Sequence, residues 1–258
     1  MSARTPRSRA RGAGTYMFCV FASARAPRFA GAPAGPDGLG PVRALHLAGT
    51  LWAAVADAPS DRFSEAAIRR TLRSLDALAG DALAHEAVVR HVFRRRAVLP
   101  LKLFTIYASD DRARADLGPR AGRLTRLLAR LEGHEEWGVT IAPGAPRPVR
   151  AAARRSGVAY LQARRQALAG SRGRSLADAA EILVTALARG TADRRIAARE
   201  PDEGGPAIAT AFLLDRARRA AWRTRLRRVR AGLQADGWTV SVSGPWPPYS
   251  FIPGVDEA

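Results

Sequence analysis

Cysteine is nearly missing from this chain of 258 residues, since Cys19 stands alone. An intrachain disulfide framework and a cysteine-rich zinc site are therefore excluded, which fits a reducing compartment. Long apolar runs are missing too. No stretch approaches the ~20 apolar residues of a membrane-spanning helix. The run Tyr16 to Ala22, which follows Arg4, Arg7, Arg9 and Arg11, is at the lower limit for a secretory core, so a disordered basic tail and a first strand are expected there. Lysine is the third scarcity. Of 42 basic residues only Lys102 is lysine, and with so much alanine this points to a GC-rich coding bias. The net charge of +19 is thus weak evidence for a nucleic-acid ligand, although it acts on solubility and non-specific binding all the same.

Recognisable catalytic chemistry is absent as well. His85 and His91 lie six apart on a predicted helix and face different sides, so zinc-ligand spacing fails, and His46 and His134 stand apart. Glu135 and Glu136 are neighbours on a predicted strand and point oppositely, a poor arrangement for two carboxylates acting on one bond. Asp110 and Asp111 read as a helix start favoured by the dipole. There is no phosphate-binding glycine loop, nucleophile elbow or Cys/His constellation. The chain is read as non-catalytic, with no cofactor and no metal.

What is present is regular patterning. Tyr16 to Ala22 reads as a buried strand containing Cys19, Gly31 to Pro41 as a surface loop, and Val42 to Ala48 with Leu51 to Ala56 as a hairpin about Gly49 and Thr50. Ser64 caps a helix expected over Glu65 to Ala79 with Ile68, Leu72, Leu75 and Ala79 inward. Gly80 ends it, and Asp81 caps a second helix in which Leu83, Ala87, Val88 and Val92 face inward. Val98 to Tyr107 reads as one strand with Leu99, Leu101, Leu103 and Thr105 on one face and Lys102 and Phe104 on the other. Ser109 and Asp110 open helices interrupted at Gly118 and Pro119, and Glu135 to Ile141 is another strand.

Pro143, Gly144, Pro146 and Pro148 with Arg150, Arg154 and Arg155 mark the clearest boundary. The expected organisation is a disordered basic tail over 1–15, an N-terminal mixed α+β domain over 16–142, a linker over 143–155 and a C-terminal domain over 156–258. In the last, helices over Gly157 to Leu168 and Ser175 to Arg189 precede strands over 191–201 and Ala207 to Leu214. A helix capped by Asp215 with Trp222, Leu226, Val229 and Leu233 inward follows, then a strand with Trp238, Val240 and Val242 on one face. That order can close as a ferredoxin-like sheet. The fold class is α+β.

The last strand runs into Gly244, Pro245, Trp246, Pro247, Pro248, Tyr249, Ser250 and Phe251. Prolines cannot donate to a ladder, so this stiff segment presents three aromatics at small entropic cost, either to close the chain's own core or to seize a partner. Its order resembles the signature of the gas vesicle protein GvpL/GvpF family. Further points of similarity are Leu99, Pro100, Leu101, Lys102, Leu103, Phe104 and Thr105 to a Leu-Pro-Leu-Arg-Phe-Gly-Thr strand, Glu136, Trp137, Gly138 and Val139 to a Glu-Trp-Gly-Val strand, Ala159, Tyr160 and Leu161 to a Gly-x-Ala-Tyr-Leu segment, and Phe212, Leu213 and Leu214 to an apolar strand. Lys102 and Phe104 depart from the family's arginine and glycine.

The resemblance implies two domains, the second ferredoxin-like, in a cytoplasmic protein associated with gas vesicles. It implies binding of the small hydrophobic shell subunit and other accessory proteins, with no membrane and no specific nucleic acid; the oligomeric state is left open. Trp246, Tyr249, Phe251, Lys102 and Trp137 are the partner-binding candidates. The alternative is a basic nucleic-acid-binding module that uses the arginine face of Arg216, Arg219, Arg223, Arg227 and Arg230, although no aromatic is interleaved there for base stacking.

Overall fold

Two antiparallel sheets, each with its own helices, account for the secondary structure of this computed structural model, which describes residues 13–144, 175–202 and 205–252. The helix expected over 157–168, most of the linker and the first twelve residues lie outside the described residues. Contacts divide the chain into one unit formed by residues up to Gly133 together with those from Pro247, and another formed by His134–Trp246. Element numbers below count the described elements.

In the first unit, strands β1 (Ala13–Ala22), β2 (Arg43–Ala48), β3 (Leu51–Pro59) and β4 (Leu99–Pro100) lie in the order β2-β3-β1-β4, and β5 (Ile106–Tyr107) also pairs with β1. Ala13 to Thr15 thus belong to the first strand and not to the basic tail. Central β1 is buried without alternation from Thr15 to Phe21, as expected of a strand covered on both faces. Cys19 is fully buried, and burial pushes its thiol pKa up, so it is an inert packing residue. The β2–β3 hairpin turns at Gly49, whose φ of 54° is in the left-handed region that glycine adopts without strain.

Helices α1 (Ser60–Phe63) and α2 (Glu65–Thr71) lead to the long α3 (Leu75–Phe93), followed by α4 (Asp110–Leu117) and α5 (Ala121–Leu131). Ser64 caps α2 as expected, but that helix stops at Thr71, and Ser74 caps α3 by accepting from Ala77 N at 3.3 Å. Gly80 does not end a helix. One interior glycine costs about 1 kcal/mol against alanine, less than the burial of Val88, Val89, Val92 and Phe93 in the core with Tyr16 and Phe18 returns. Asp81 is no cap either: it is buried, and Arg62 holds both its oxygens at 3.0 and 3.3 Å. The first half of α3 faces solvent, with Leu75 83% and Leu83 73% exposed, and Leu72 is exposed as well. The stripe read as inward there points outward.

The second unit runs β6 (His134–Pro143), α6 (Leu176–Ala188), β7 (Thr191–Asp202), β8 (Gly205–Asp215), α7 (Arg219–Ala235) and β9 (Trp238–Trp246), in the sheet order β7-β8-β6-β9 with every pair antiparallel. Strand β6, read from sequence as the end of the N-terminal domain, is thus a central strand of this sheet. Ser175 and Asp178 form a capping box at the start of α6, and such a cap stabilises a helix by about 1 kcal/mol. Trp222, fully buried on α7, lies 5.5 Å from the Trp137 ring and 5.8 Å from that of Phe212 and donates to the Leu187 carbonyl at 3.2 Å. It satisfies its one polar atom while filling the space between helix and sheet.

Candidate functional site

The proline-rich signature begins as an irregularity in a ladder. Ser243 pairs with Gly138 and Trp246 with Glu136, so Gly244 and Pro245 together oppose Trp137 alone. Two residues against one is a bulge, which bends the strand and sharpens its twist. Gly244 is required there: its φ is 119°, and a Cβ would sit 2.8 Å from the Glu136 carbonyl oxygen and 3.3 Å from Trp137 Cα.

Beyond the bulge Pro247 and Pro248 are buried, and Tyr249–Phe251 form a single 3-10 turn in which Tyr249 N donates to Pro247 O at 2.8 Å and Phe251 N to Pro248 O at 3.2 Å. Phe251 points inward and is buried. Tyr249 keeps 39% of its surface exposed, and its hydroxyl donates to Oε2 of Glu86 on α3. Burial raises the Glu86 pKa, while the Tyr249 hydrogen bond and the charge of Arg90 oppose the rise.

The second motif arrives at the same helix from the other end of the sequence. The run Val98 to Tyr107 is not one strand, since only Leu99–Pro100 and Ile106–Tyr107 pair as strands. Leu101 N donates to Phe18 O at 3.0 Å and Met17 N to Thr105 O at 2.9 Å, but the chain turns between them, with Thr105 N bonded to Lys102 O at 3.1 Å. Phe104 makes that turn with φ 64°, a left-handed conformation costing a non-glycine residue about 1–2 kcal/mol. This is the position where the family pattern has glycine. Phe104 N donates to the Tyr16 hydroxyl at 3.3 Å, and the same hydroxyl is hydrogen-bonded to His85 Nδ1 at 2.8 Å. Burial pushes the His85 pKa down to about 4, opposed by the Leu101 backbone, and burial likewise raises that of Tyr16. The two motif segments therefore end on successive residues of α3, His85 and Glu86. Lys102 projects from the same turn and is exposed.

Trp137 and Trp246 belong to the second unit. Trp137 is buried in its core, and Trp246 is half-buried at the end of β9. Beside Trp137, Glu135 is 1% exposed and accepts from Trp137 Nε1 at 2.8 Å and from Arg219 Nε at 2.7 Å, with a second bond from the Arg219 guanidinium and Arg216 Nε at 4.0 Å. Arg219, read as part of a solvated basic face, is instead the counter-ion of a buried carboxylate. Arg225 likewise donates to the Arg189 carbonyl at the end of α6.

Of the five candidates, then, Tyr249 and Lys102 are exposed, Trp246 is partly so, and Trp137 and Phe251 lie inside. The sequence places Tyr16, His85, Glu135 and Arg219 each on an element, but the pairings Tyr16–His85, Tyr249–Glu86 and Glu135–Arg219 link distant segments and have no signal in it. No cluster of metal-ligating side chains occurs among the described residues, and no helix there is long and apolar enough to cross a membrane.

The family model described as "Gas vesicle synthesis protein GvpL/GvpF" matches residues 14–253. The chain is 36% identical over 241 residues to "Gas vesicle protein L" of Streptomyces sp. (strain CB03234), an alignment that covers 87% of this chain and 88% of that one. Two crystal structures share its fold. The gas vesicle protein GvpF from Anabaena sp. PCC7120 superposes with a TM-score of 0.64 at 14% identity, covering 93% of this chain and 98% of that one. GvpF from Microcystis aeruginosa does so with a TM-score of 0.63 at 15% identity, covering 92% and 98%.

Proposed function

Because the chain belongs to the GvpL/GvpF family of gas vesicle synthesis proteins, we propose that it acts in gas vesicle formation as a non-catalytic assembly factor. In this reading it binds the small hydrophobic shell subunit and other gas vesicle accessory proteins in the cytoplasm. The observation that carries the proposal is the presentation of Tyr249: its neighbours Pro247, Pro248 and Phe251 are buried, while its own ring stays 39% exposed on a rigid turn. A buried anchor beside an exposed, entropically cheap aromatic is the anatomy of a contact residue.

The physical need is plain. A shell subunit with an apolar gas-facing side is an aggregation hazard before incorporation, so a partner that covers its edge or apolar face has an evident use. Tyr249, Trp246 and Lys102, together with sheet edges, are the proposed contacts. Trp137 and Phe251 are buried and hold those contacts in place rather than make them. The strand-helix-strand-strand-helix-strand order of the second unit supports describing it as ferredoxin-like. A nucleic-acid module on α7 is disfavoured, because Arg219 of the basic face is bonded to the buried Glu135 carboxylate and Arg216 lies 4.0 Å from it.

The test is substitution of Tyr249 and Trp246 by alanine, with shell-subunit binding and circular dichroism read on the same preparations. Weakened binding by a folded variant supports the proposal. Undiminished binding removes both residues from the contact surface, and an unfolded variant returns them to the core.

A further inference from the structure

On the first unit, the loop 27–33 and the C-terminal half of α3 enclose an open cleft of about 430 Å³ lined by Gly31, Pro33, Ala87, Arg90, His91 and Arg94. A smaller hollow of about 40 Å³ adjoins it through His91 and brings Pro27, Arg28 and Arg95 to the same groove. The loop is a fixed wall, since Phe29 packs edge-on against Phe21 at 6.3 Å and joins the core. No carboxylate lines either cavity. Glu86, one turn before Arg90 on the same helix, is engaged by the Tyr249 hydroxyl.

The positive charge there is in excess. Arg96 is used structurally, donating to Ala22 O at 3.4 Å and stacking 5.2 Å over the Phe21 ring, and Arg95 is bonded to His91 Nε2 at 3.0 Å. Arg28 and Arg94 are exposed and meet no carboxylate among the described residues. The carbonyl end of α3 offsets only about half a charge. The local field is felt by His91, whose pKa is lowered first by burial and then by the charges of Arg95 and Arg94.

We propose that this groove is the docking site for an acidic segment of a partner protein, with carboxylates paired to Arg28 and Arg94 and small apolar side chains against Pro33 and Ala87. Volume and chemistry both suit a few side chains of an extended peptide. The mixed apolar and cationic lining fits such a peptide better than a nucleic acid, because the two aromatics of the smaller hollow are engaged within the unit, Phe21 buried beneath the Arg96 guanidinium and Phe29 packed edge-on against Phe21, rather than standing open as a stacking platform. The identity of the partner as a gas vesicle protein rests on the assembly reading above; the groove itself does not. Its position on α3, one turn beyond the residue that holds Tyr249, places it beside the signature turn.

The experiment is fluorescence anisotropy of a labelled peptide of alternating glutamate and alanine with the full chain. It compares the double variant R28E/R94E with R223E/R227E, which makes the same charge change on exposed positions of α7. Each of two reversed ion pairs is worth a few-fold, so R28E/R94E should weaken binding by roughly tenfold or more, and R223E/R227E by less than about threefold. Equal losses in the two variants, or none in R28E/R94E, overturn the proposal. So does a single-stranded oligonucleotide that displaces the peptide and depends more strongly than the peptide on Arg28 and Arg94. Should the reversals unfold the protein, the neutral pair R28Q/R94Q carries the same test, with about half the logarithmic effect. Failure of the shell subunit to bind wild-type protein, with the peptide result intact, refutes the assembly reading and leaves the groove standing.

Discussion

Phe104 is a bulky residue in a conformation suited to glycine, and that conflict yields a quantitative test. At φ 64° its Cβ crowds the following carbonyl, a strain of about 1–2 kcal/mol. Its ring is half-buried against the first core, so truncation to alanine forfeits about half of the ~3–5 kcal/mol that a fully buried phenylalanine is worth, and keeps the strain. Truncation to glycine forfeits the same packing but relieves the strain, less the ~0.5 kcal/mol of extra freedom glycine has when unfolded. The expected order of stability is therefore wild type, then F104G, then F104A, with glycine ahead of alanine by about 1 kcal/mol. At ordinary positions alanine leads. In a protein of this size that gap is about 2–4 °C in Tm, measurable by urea or thermal denaturation followed by circular dichroism. Alanine equal to or above glycine would refute the left-handed turn, and with it the reason for a glycine in the motif.

Three further outcomes follow from the same geometry. His85 is neutral in the fold with its pKa near 4 against 6.5 when unfolded, so its contribution is complete above pH 6.5 and is lost as pH falls through 4. At about 1.4 kcal/mol per tenfold in proton affinity some 3 kcal/mol is at stake, and a stability-versus-pH series on H85Q should be flatter between these values. Removing the carboxylate in E135A leaves the buried Trp137 indole without its acceptor, while Arg219, 42% exposed, can turn to water. Denaturation should show a loss of about 2 kcal/mol, below the ~3–5 of a pair buried on both sides. G244A places a Cβ against the Glu136 carbonyl at φ 119° and should cost roughly 2–4 kcal/mol; a neutral result would remove the bulge from the account.

Much of this architecture was legible because it is written in local patterns. The hairpin at Gly49, the capping serines at 64, 109 and 175, the apolar stripe of Trp222, Leu226 and Leu233, and the alternation of Trp238 and Val240 were all readable, and each element formed. Failures came where tertiary contacts overrode local preference. Gly80 and Asp81 resemble a stop and a start, yet Arg62 draws Asp81 into the interior and α3 continues. An apolar run from Val98 to Tyr107 reads as a strand, and nothing short of the family's glycine hints at the turn of Phe104. The pairing of Tyr249 with Glu86 spans 163 positions, and that of Arg219 with Glu135 spans 84; neither leaves a periodic trace. The signature's prolines and aromatics stood out, but their division into buried Phe251 and exposed Tyr249 depended on the fold.

The measurement closest to the central claim is co-purification of the full chain with co-expressed shell subunit, after nuclease treatment and at moderately high salt. Salt suppresses the non-specific pull of a chain carrying a net charge of +19. Retention of the shell subunit under these conditions, reduced in the Tyr249 and Trp246 variants, is the result the account predicts. Loss of the subunit together with recovery of nucleic acid from an untreated control would contradict it.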